Sequence, residues 1–503
     1  MSQTLASLPM VLEIFALLFS NRWVARWQKQ WPKPKRPSAA GPGKGPHAAQ
    51  GSKNQNPKNQ KKTKAKSAPR GFYQRIFSLR VTLWYLIYQR LNFDVTLAAV
   101  VSNVREGGAD RLGPRGRKLS KRVRSRQTSA YNQARQRMPL ELLQAALAHL
   151  RQGLGKLVGW ASSPRKKPGP AQRVRQLLDG STLALLRTPK LVEAFPPARN
   201  QRGASDWCLM RIVVGFCARS GAVFSAMEGA LQRSEQALAW TLIEQAAAFT
   251  LWIGDRNFGV WSVVAQALRY RQDVLVRLTQ SRARKLCAGR PMHSGEDRLI
   301  QWGPSRSDQV ALGTERAAVS GRLIYVRLNK GGTWIDLWLF TTLDARDYPV
   351  ALLVQWYGQR WQAELHFRSV KTQMKMAELD VCTPEMARKE FYAGLLAYSL
   401  VRAVMWGAGE RLEESIKTLS FSQARRVLLD RLKDWGRGLG ADAGRPEKWV
   451  RELLEEVARH TLPKRRKPRP SEVRRVRHRR QKFPPLKGSR AAARTRYMTI
   501  KSS

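Results

Sequence analysis

The chain carries 91 Lys and Arg against 36 Asp and Glu, a formal net charge of +55. A compact fold with that excess repels itself unless a polyanion neutralises it, and solubility alone needs far less charge. Nucleic acid is the polyanion this predicts, because Lys and Arg contacts to phosphate release condensed counterions. The charge does not preclude a core. Hydrophobic residues fill 43% of the 503 positions, near the globular norm and enough for roughly two to four domains. Cys208, Cys217, Cys287 and Cys382 show no Cys-x-x-Cys spacing, and with six histidines they support neither a zinc module nor a disulfide framework. A reducing cytoplasm fits that usage. The apolar stretch from Leu5 to Ser20 is short for a membrane span and carries Glu13, so a packed or interfacial helix is expected, and no membrane contact.

The charge is unevenly spread. Residues 1–29 read as an N-terminal helix, and 30–70 as a basic disordered linker that includes Trp31-Pro32-Lys33-Pro34-Lys35. Order resumes near Phe72. The run Val81 to Tyr88 and the segment Pro139 to Leu150 read as helices, and between them lie Arg115, Arg117, Lys118, Lys121, Arg122, Arg124 and Arg126. Residues 71–170 are therefore expected to be a helical DNA-binding domain, against the plainer reading of a solvated charged face. From 171 the pattern changes to short β-like runs between helices. Strands are expected at Arg173–Leu178, Leu209–Cys217, Ala222–Met227, Leu251–Gly254 and Asp273–Leu278. Helices are expected at Ser234–Phe249, with Ser234 as cap, and at Trp261–Tyr270. A β-rich insertion at about 280–345 has its clearest strands at Arg322–Leu328 and Thr333–Thr341, and a long helix follows from Pro349 to Met376. The fold class this gives is α/β, a mixed sheet with a β-rich insertion over 171–390, then a helical region at 391–462 and a basic tail at 463–503.

In so basic a chain, the context of each acid is informative. Asp179 is read at a strand end before Gly180, and Asp255 closes a strand in Gly254-Asp255-Arg256-Asn257-Phe258-Gly259. Carboxylates at strand ends point into the crevice where open α/β sheets bind ligands, although Asp-Gly is also a common turn pair. On the long helix, Tyr357, Arg360, Glu364 and Lys371 stand at offsets 0, 3, 7 and 14, within roughly 60° of one another on an ideal α-helix. A ring, two cations and an acid do not make a core stripe. A solvated ion-pair face is the competing reading.

Here the sequence resembles a known family. Tyr357-Gly358-Gln359-Arg360-Trp361-Gln362-Ala363-Glu364, with Phe367 and Lys371, resembles the Tyr-x-x-Arg-x-x-x-Glu-x-x-x-x-x-x-Lys signature of the insertion-sequence-four (IS-four) family of DDE transposases. Asp179-Gly180-Ser181-Thr182 and the Gly254–Gly259 run resemble its first and second acid motifs, in the same order, and Gln127–Leu140 resembles the block before its catalytic domain. The resemblance runs from about 72 to 380. Asn257 departs from it, standing where relatives often have Gly.

The resemblance implies an RNase H-like fold in which Asp179, Asp255 and Glu364 are catalytic and hold two Mg²⁺ ions, with Mn²⁺ able to substitute. One metal would activate the attacking oxygen and the other stabilise the leaving oxygen, with water attacking first and the freed 3′-hydroxyl later. It also implies that Arg360 and Lys371 bind phosphate, with Tyr357 against the same backbone. Trp338 resembles the family tryptophan that stacks a flipped base, with Trp334 a second candidate. The insertion is expected to cover the active site, and His366, off the stripe, to be structural. The function implied is a transposase that binds terminal inverted repeats of an insertion sequence and performs cut-and-paste transposition in the bacterial, nucleoid-associated cytoplasm. Its partners would be double-stranded DNA and a second copy in the synaptic complex, with apolar helices around 391–405 and 450–458 as candidate dimer contacts. The alternative is a catalytically inactive DNA-binding protein derived from a transposase.

Overall fold

The computed structural model of the chain describes residues 7–30, 76–160, 168–411, 416–439 and 445–463, with breaks at 94, 114–116, 201–202, 205–206, 307, 310–317 and 331, and positions 488, 489, 491, 492 and 495. The expected linker from residue 31 onward, Arg115 and nearly all of the expected basic tail lie outside the described residues.

The helical parts come first. α1 (Ser7–Phe19) and α2 (Asn21–Gln30) precede α3 (Leu79–Leu91), α4 (Leu97–Arg105), α5 (Ser129–Arg137) and α6 (Leu140–Leu157). Val11, Ile14, Phe15, Leu17 and Leu18 of α1 are buried against α6 and the C-terminal helices, so the apolar N-terminal stretch is a core helix. Ser78 and Thr96 cap α3 and α4, their hydroxyls accepting from Val81 and Ala99 N–H groups that would otherwise lack partners. Before α5 the chain from Arg117 to Arg126 forms turns and irregular structure. Arg117, Lys118, Lys121, Arg122, Arg124 and Arg126 are exposed there. The segment is nonetheless anchored: Leu119 is buried, and Asp110 accepts from the N–H and the hydroxyl of Ser120, each at 2.7 Å.

A nine-stranded mixed sheet forms the centre. In chain order the elements are β1 (Arg175–Leu185), α7 (Pro189–Ala194), β2 (Arg199–Asn200), β3 (Gly203–Ala204), β4 (Cys208–Cys217), β5 (Val223–Ala230), α8 (Glu235–Gln245), β6 (Leu251–Gly254), α9 (Trp261–Arg269), β7 (Asp273–Arg277) and α10 (Gln280–Leu286). Then follow β8 (Asp297–Trp302), β9 (Val319–Lys330), β10 (Thr333–Thr341), α11 (Val350–Gly358), α12 (Trp361–Arg368), a π-helical turn (Ser369–Gln373), β11 (Glu378–Leu379), α13 (Pro384–Arg411), α14 (Phe421–Arg437) and α15 (Pro446–Ala458). The strand order is β5-β4-β1-β6-β7-β10-β9-β8, with β11 also on β1 and the small β2–β3 pair separate. β1, β6, β7 and β11 run parallel, and the remaining neighbours pair antiparallel.

Side chains alternate between the two faces, as the strand period requires. Leu177, Leu251, Ile253 and Leu275 join one core with the N-terminal helices and α13, whereas Leu178, Trp252, Val274 and Val276 join the other with α8 and α9. α13 runs through the first of these cores. It is long and apolar enough to cross a membrane, yet 89% of that window is buried inside the fold.

Several expectations need correction. β1 does not stop at Asp179: it pairs with β4 from Gln176 to Leu185, so Asp-Gly lies mid-strand and makes no turn. The expected helix Ser234–Phe249 ends at Gln245, because Ala246 already takes extended backbone (ψ 156°), and Phe249 follows with a left-handed φ of 62° on the way into β6. The helix from 349 to 376 is interrupted after Gly358, where Gln359 and Arg360 donate to Trp356 and Tyr357 in tight i→i−3 bonds, and it ends in the π turn. The insertion does not lie over the sheet as a cover. β10 joins the edge of β7 through Leu339–Thr341, so β8, β9 and β10 extend the same sheet. Finally, the helices at 391–405 and 450–458 spend their apolar faces inside this chain: Leu395, Leu400 and Val404, with Val450, Leu453 and Leu454, are all buried. They offer no apolar face for a dimer.

Candidate catalytic centre

The parallel pairing of β1 with β6 covers Arg175 to Leu178 and ends at Leu178↔Gly254. On that same edge, β11 takes up pairing only at Ala184. Residues 179–183 therefore face a gap in the sheet edge. Asp179 is the first residue in the gap, and Asp255 is the first residue beyond the end of β6. Ser181 shares a face with Asp179, two residues on.

α11 and α12 bring in the remaining groups, with Ala363 and Phe367 of α12 packed into the core beside β1. Glu364 accepts from Arg360 Nη2 at 2.8 Å and keeps its side chain 42% exposed. Asp179 is pushed from 3.8 up to about 6, first by burial, then by the nearby Asp255 and Glu364 charges; the Gly180 N–H, at 2.9 Å from Oδ1, and Arg360 work against this. Asp179, Asp255, Glu364 and Arg360 thus share one electrostatic neighbourhood. Tyr357 is buried, its hydroxyl pushed up to about 12 mainly by that burial, and it hydrogen-bonds Arg360 with Arg277 and Asp255 close by. Lys371, on the π turn, donates to Ser181 Oγ at 3.2 Å, and burial lowers its pKa. The four residues of the helical stripe therefore converge on the gap despite the broken helix.

Other expected residues are placed differently. Trp338 is 9% exposed and stacked on Tyr325, ring centroids 4.3 Å apart, so its face is already covered within the core. Trp334, 57% exposed with the Arg327 guanidinium over its ring, is the accessible tryptophan of the two. His366 is buried against Phe216 and Tyr398, and burial holds its pKa well below the usual value, as suits a neutral packing residue. Among the described residues, no group of three or more His, Cys, Asp or Glu side chains is drawn together closely enough to hold a metal ion.

One acid was missed by the sequence reading. Glu235, the first residue of α8, accepts from Asn257 Nδ2 at 2.6 Å, and burial raises its pKa, with Arg211 opposing and Asp255 adding to the shift. Its only local signal is that it follows the cap Ser234, and acids are common there on any helix.

Residues 170–400, which span the gap and all the groups around it, match the family described as Transposase DDE domain. Over this stretch the chain is similar to the DDE transposases. Over 301 residues the chain is 27% identical to "Transposase InsG for insertion sequence element IS4" of Escherichia coli strain K12. The aligned part is 58% of this chain and 64% of that relative, just under two thirds of its length. That relative carries the name of the insertion-sequence-four group, whose signature the α11–α12 stripe resembles.

Proposed function

We propose that the chain binds the terminal inverted repeats of an insertion sequence and catalyses metal-dependent DNA strand cleavage and strand transfer, with Asp179, Asp255 and Glu364 as the catalytic acids. The observation that supports this reading is that three acids from three separate elements lie around one gap in the sheet. They are not clustered as metal ligands, but they are near enough that burial and the Asp255 and Glu364 charges raise the proton affinity of Asp179. The donor set suits Mg²⁺, a hard cation that prefers carboxylate oxygen, and a desolvated carboxylate beside two others gains most from a bound cation. Those three acids would hold two Mg²⁺ ions, or Mn²⁺ in their place, which when bound supply activation of the attacking oxygen and stabilisation of the leaving oxygen.

The chain's own residues do the positioning. Tyr357 orients the Arg360 guanidinium, whose remaining donors present a planar fork to phosphate. Lys371, held at Ser181, presents a point charge from the other end of the gap. The exposed cations between Arg117 and Arg126 lie on the helical part of the molecule and suit contact with the phosphates of the element ends. A homodimer in the synaptic complex belongs to the same reading, with its interface elsewhere than α13 and α15.

A second reading, DNA binding without catalysis, is favoured by the Glu364 bond to Arg360 and by the spacing of the acids. One experiment separates the two. Wild type and Glu364→Ala are incubated with Mg²⁺ and DNA carrying the element ends. The catalytic reading expects cleavage by wild type only, with binding retained by both. Binding without cleavage by wild type in either Mg²⁺ or Mn²⁺ puts the second reading first, and cleavage by the variant rejects Glu364.

A further inference from the structure

Asn257, the departure from the family pattern, has every part of its side-chain amide engaged by α8. Its Nδ2 donates to Glu235 Oε2 at 2.6 Å, and its Oδ1 accepts from Gln236 Nε2 at 2.7 Å. Gln236 Nε2 also donates to the Asn257 carbonyl at 2.9 Å. The Asn257 N–H in turn donates to Asp255 Oδ1 at 2.9 Å, so the residue gripped by α8 is the one that orients the carboxylate.

Gly180 completes the arrangement. It alternates with Asp179 to the opposite face of β1, the face on which α8 packs. A Cβ at position 180 would stand 2.2 Å from the Glu235 carboxyl carbon. The absence of a side chain on Gly180 is what admits Glu235 to this place. Glu235 thus reaches the centre from behind the sheet, while Asp179 and the α12 residues occupy the front.

We infer that Glu235, through Asn257, is a positioning residue for Asp255: a clamp from the first turn of α8, admitted by Gly180, that holds the second acid's loop in place. The inference rests on the reading of Asp255 as a catalytic acid only for its consequence in catalysis, and the clamp itself is measurable without metal or DNA. Glu235 is not assigned as a ligand or a reacting group. Its carboxylate is engaged by Asn257 on the far face, and its effect on the reaction runs through the geometry of Asp255. A side chain of Asn's length with both a donor and an acceptor is required at 257, which a Gly there would not provide.

The test reads hydrogen–deuterium exchange of the amides from Asp255 to Gly259 in the metal-free, full-length protein. Loss of one buried hydrogen-bonded link is expected to speed local exchange about tenfold in Glu235→Ala, Asn257→Ala and Gly180→Ala. Glu235→Gln keeps an acceptor for Asn257 Nδ2 and is expected to stay within about twofold of wild type. The double variant Glu235→Ala/Asn257→Ala should exchange no faster than Asn257→Ala alone, because both remove one interaction. With element-end DNA and Mg²⁺, Glu235→Ala should lower kcat about tenfold with KM for DNA unchanged, the mark of a misplaced catalytic group. Unchanged exchange in Glu235→Ala, additive effects in the double variant, or equal loss of protection in Glu235→Gln and Glu235→Ala would each overturn the clamp. If wild type cleaves no DNA, the proposed function fails and the exchange experiment still decides the clamp.

Discussion

Asp179 shows how one position can be costly to the fold and, under the proposed function, useful to the site. Its carboxyl is raised to about 6 chiefly by burial, and Asp255 and Glu364 add to the effect. The folded state therefore holds this proton more tightly than the unfolded chain does, and the stability contribution falls as pH rises from about 4 to about 6. Above that window the cost is fully present, of the order of 3 kcal/mol for a shift of this size. In metal-free buffer, denaturant unfolding of wild type should show this decline, and Asp179→Asn, which cannot ionise, should lack it. A variant that declines as steeply as wild type would show that the proton belongs to another group. Trp338 makes the complementary point. Its place in the sequence resembles a base-stacking residue, but Tyr325 already occupies its face, and the exposed ring belongs to Trp334.

At the scale of elements, the site depends on interruptions of regular structure. The edge of β1 is open because β6 stops at Gly254 and β11 begins pairing only at Ala184. The helix after Gly358 tightens and then loosens into a π turn, and Lys371 on that turn still reaches Ser181. These breaks sit in a rigid frame whose most demanding joint is Glu390 on α13. Its carboxylate, 2% exposed, pairs with Arg90 of α3 at 2.8 Å and with Arg135 of α5. Burial alone would raise its pKa, but the two arginines outweigh that and lower it overall. Its stabilising contribution is thus present above the unfolded carboxylate range and is lost as pH falls through the lowered value. Glu390→Ala leaves two arginines without their anion and should cost about 3–5 kcal/mol at neutral pH. Chemical denaturation would measure it, and a loss below about 1 kcal/mol would mean water replaces the carboxylate without cost.

For the whole molecule, the net charge of +55 sets the terms of the proposed DNA binding. DNA affinity should fall linearly on logarithmic axes with salt, the slope shrinking by about 0.9 for each phosphate contact removed. Lys118→Ala and Arg124→Ala, on the exposed segment before α5, should each flatten the slope by that amount for all sequences alike. An unchanged slope would place the DNA elsewhere on the surface.

Much of this was legible in one dimension because it is periodic or local. The strand Thr333–Thr341 has the extent expected from its residues, Ser234 caps α8 as read, and the charge by itself called for a polyanion. The offsets of Tyr357, Arg360, Glu364 and Lys371 were visible because a helix maps spacing onto direction. The remainder required tertiary structure. Whether Asp-Gly turns or continues depends on the partner strand, and β4 pairs straight through it. Whether an apolar helix seeks another subunit depends on what its own chain has already packed against it, and α13 and α15 are fully used. Glu235 carries no signal that links it to Asp255, twenty residues on, because the link crosses from one face of a sheet to the end of a strand. Sequence determines which groups are available and how they repeat along an element; only packing decides which of them meet.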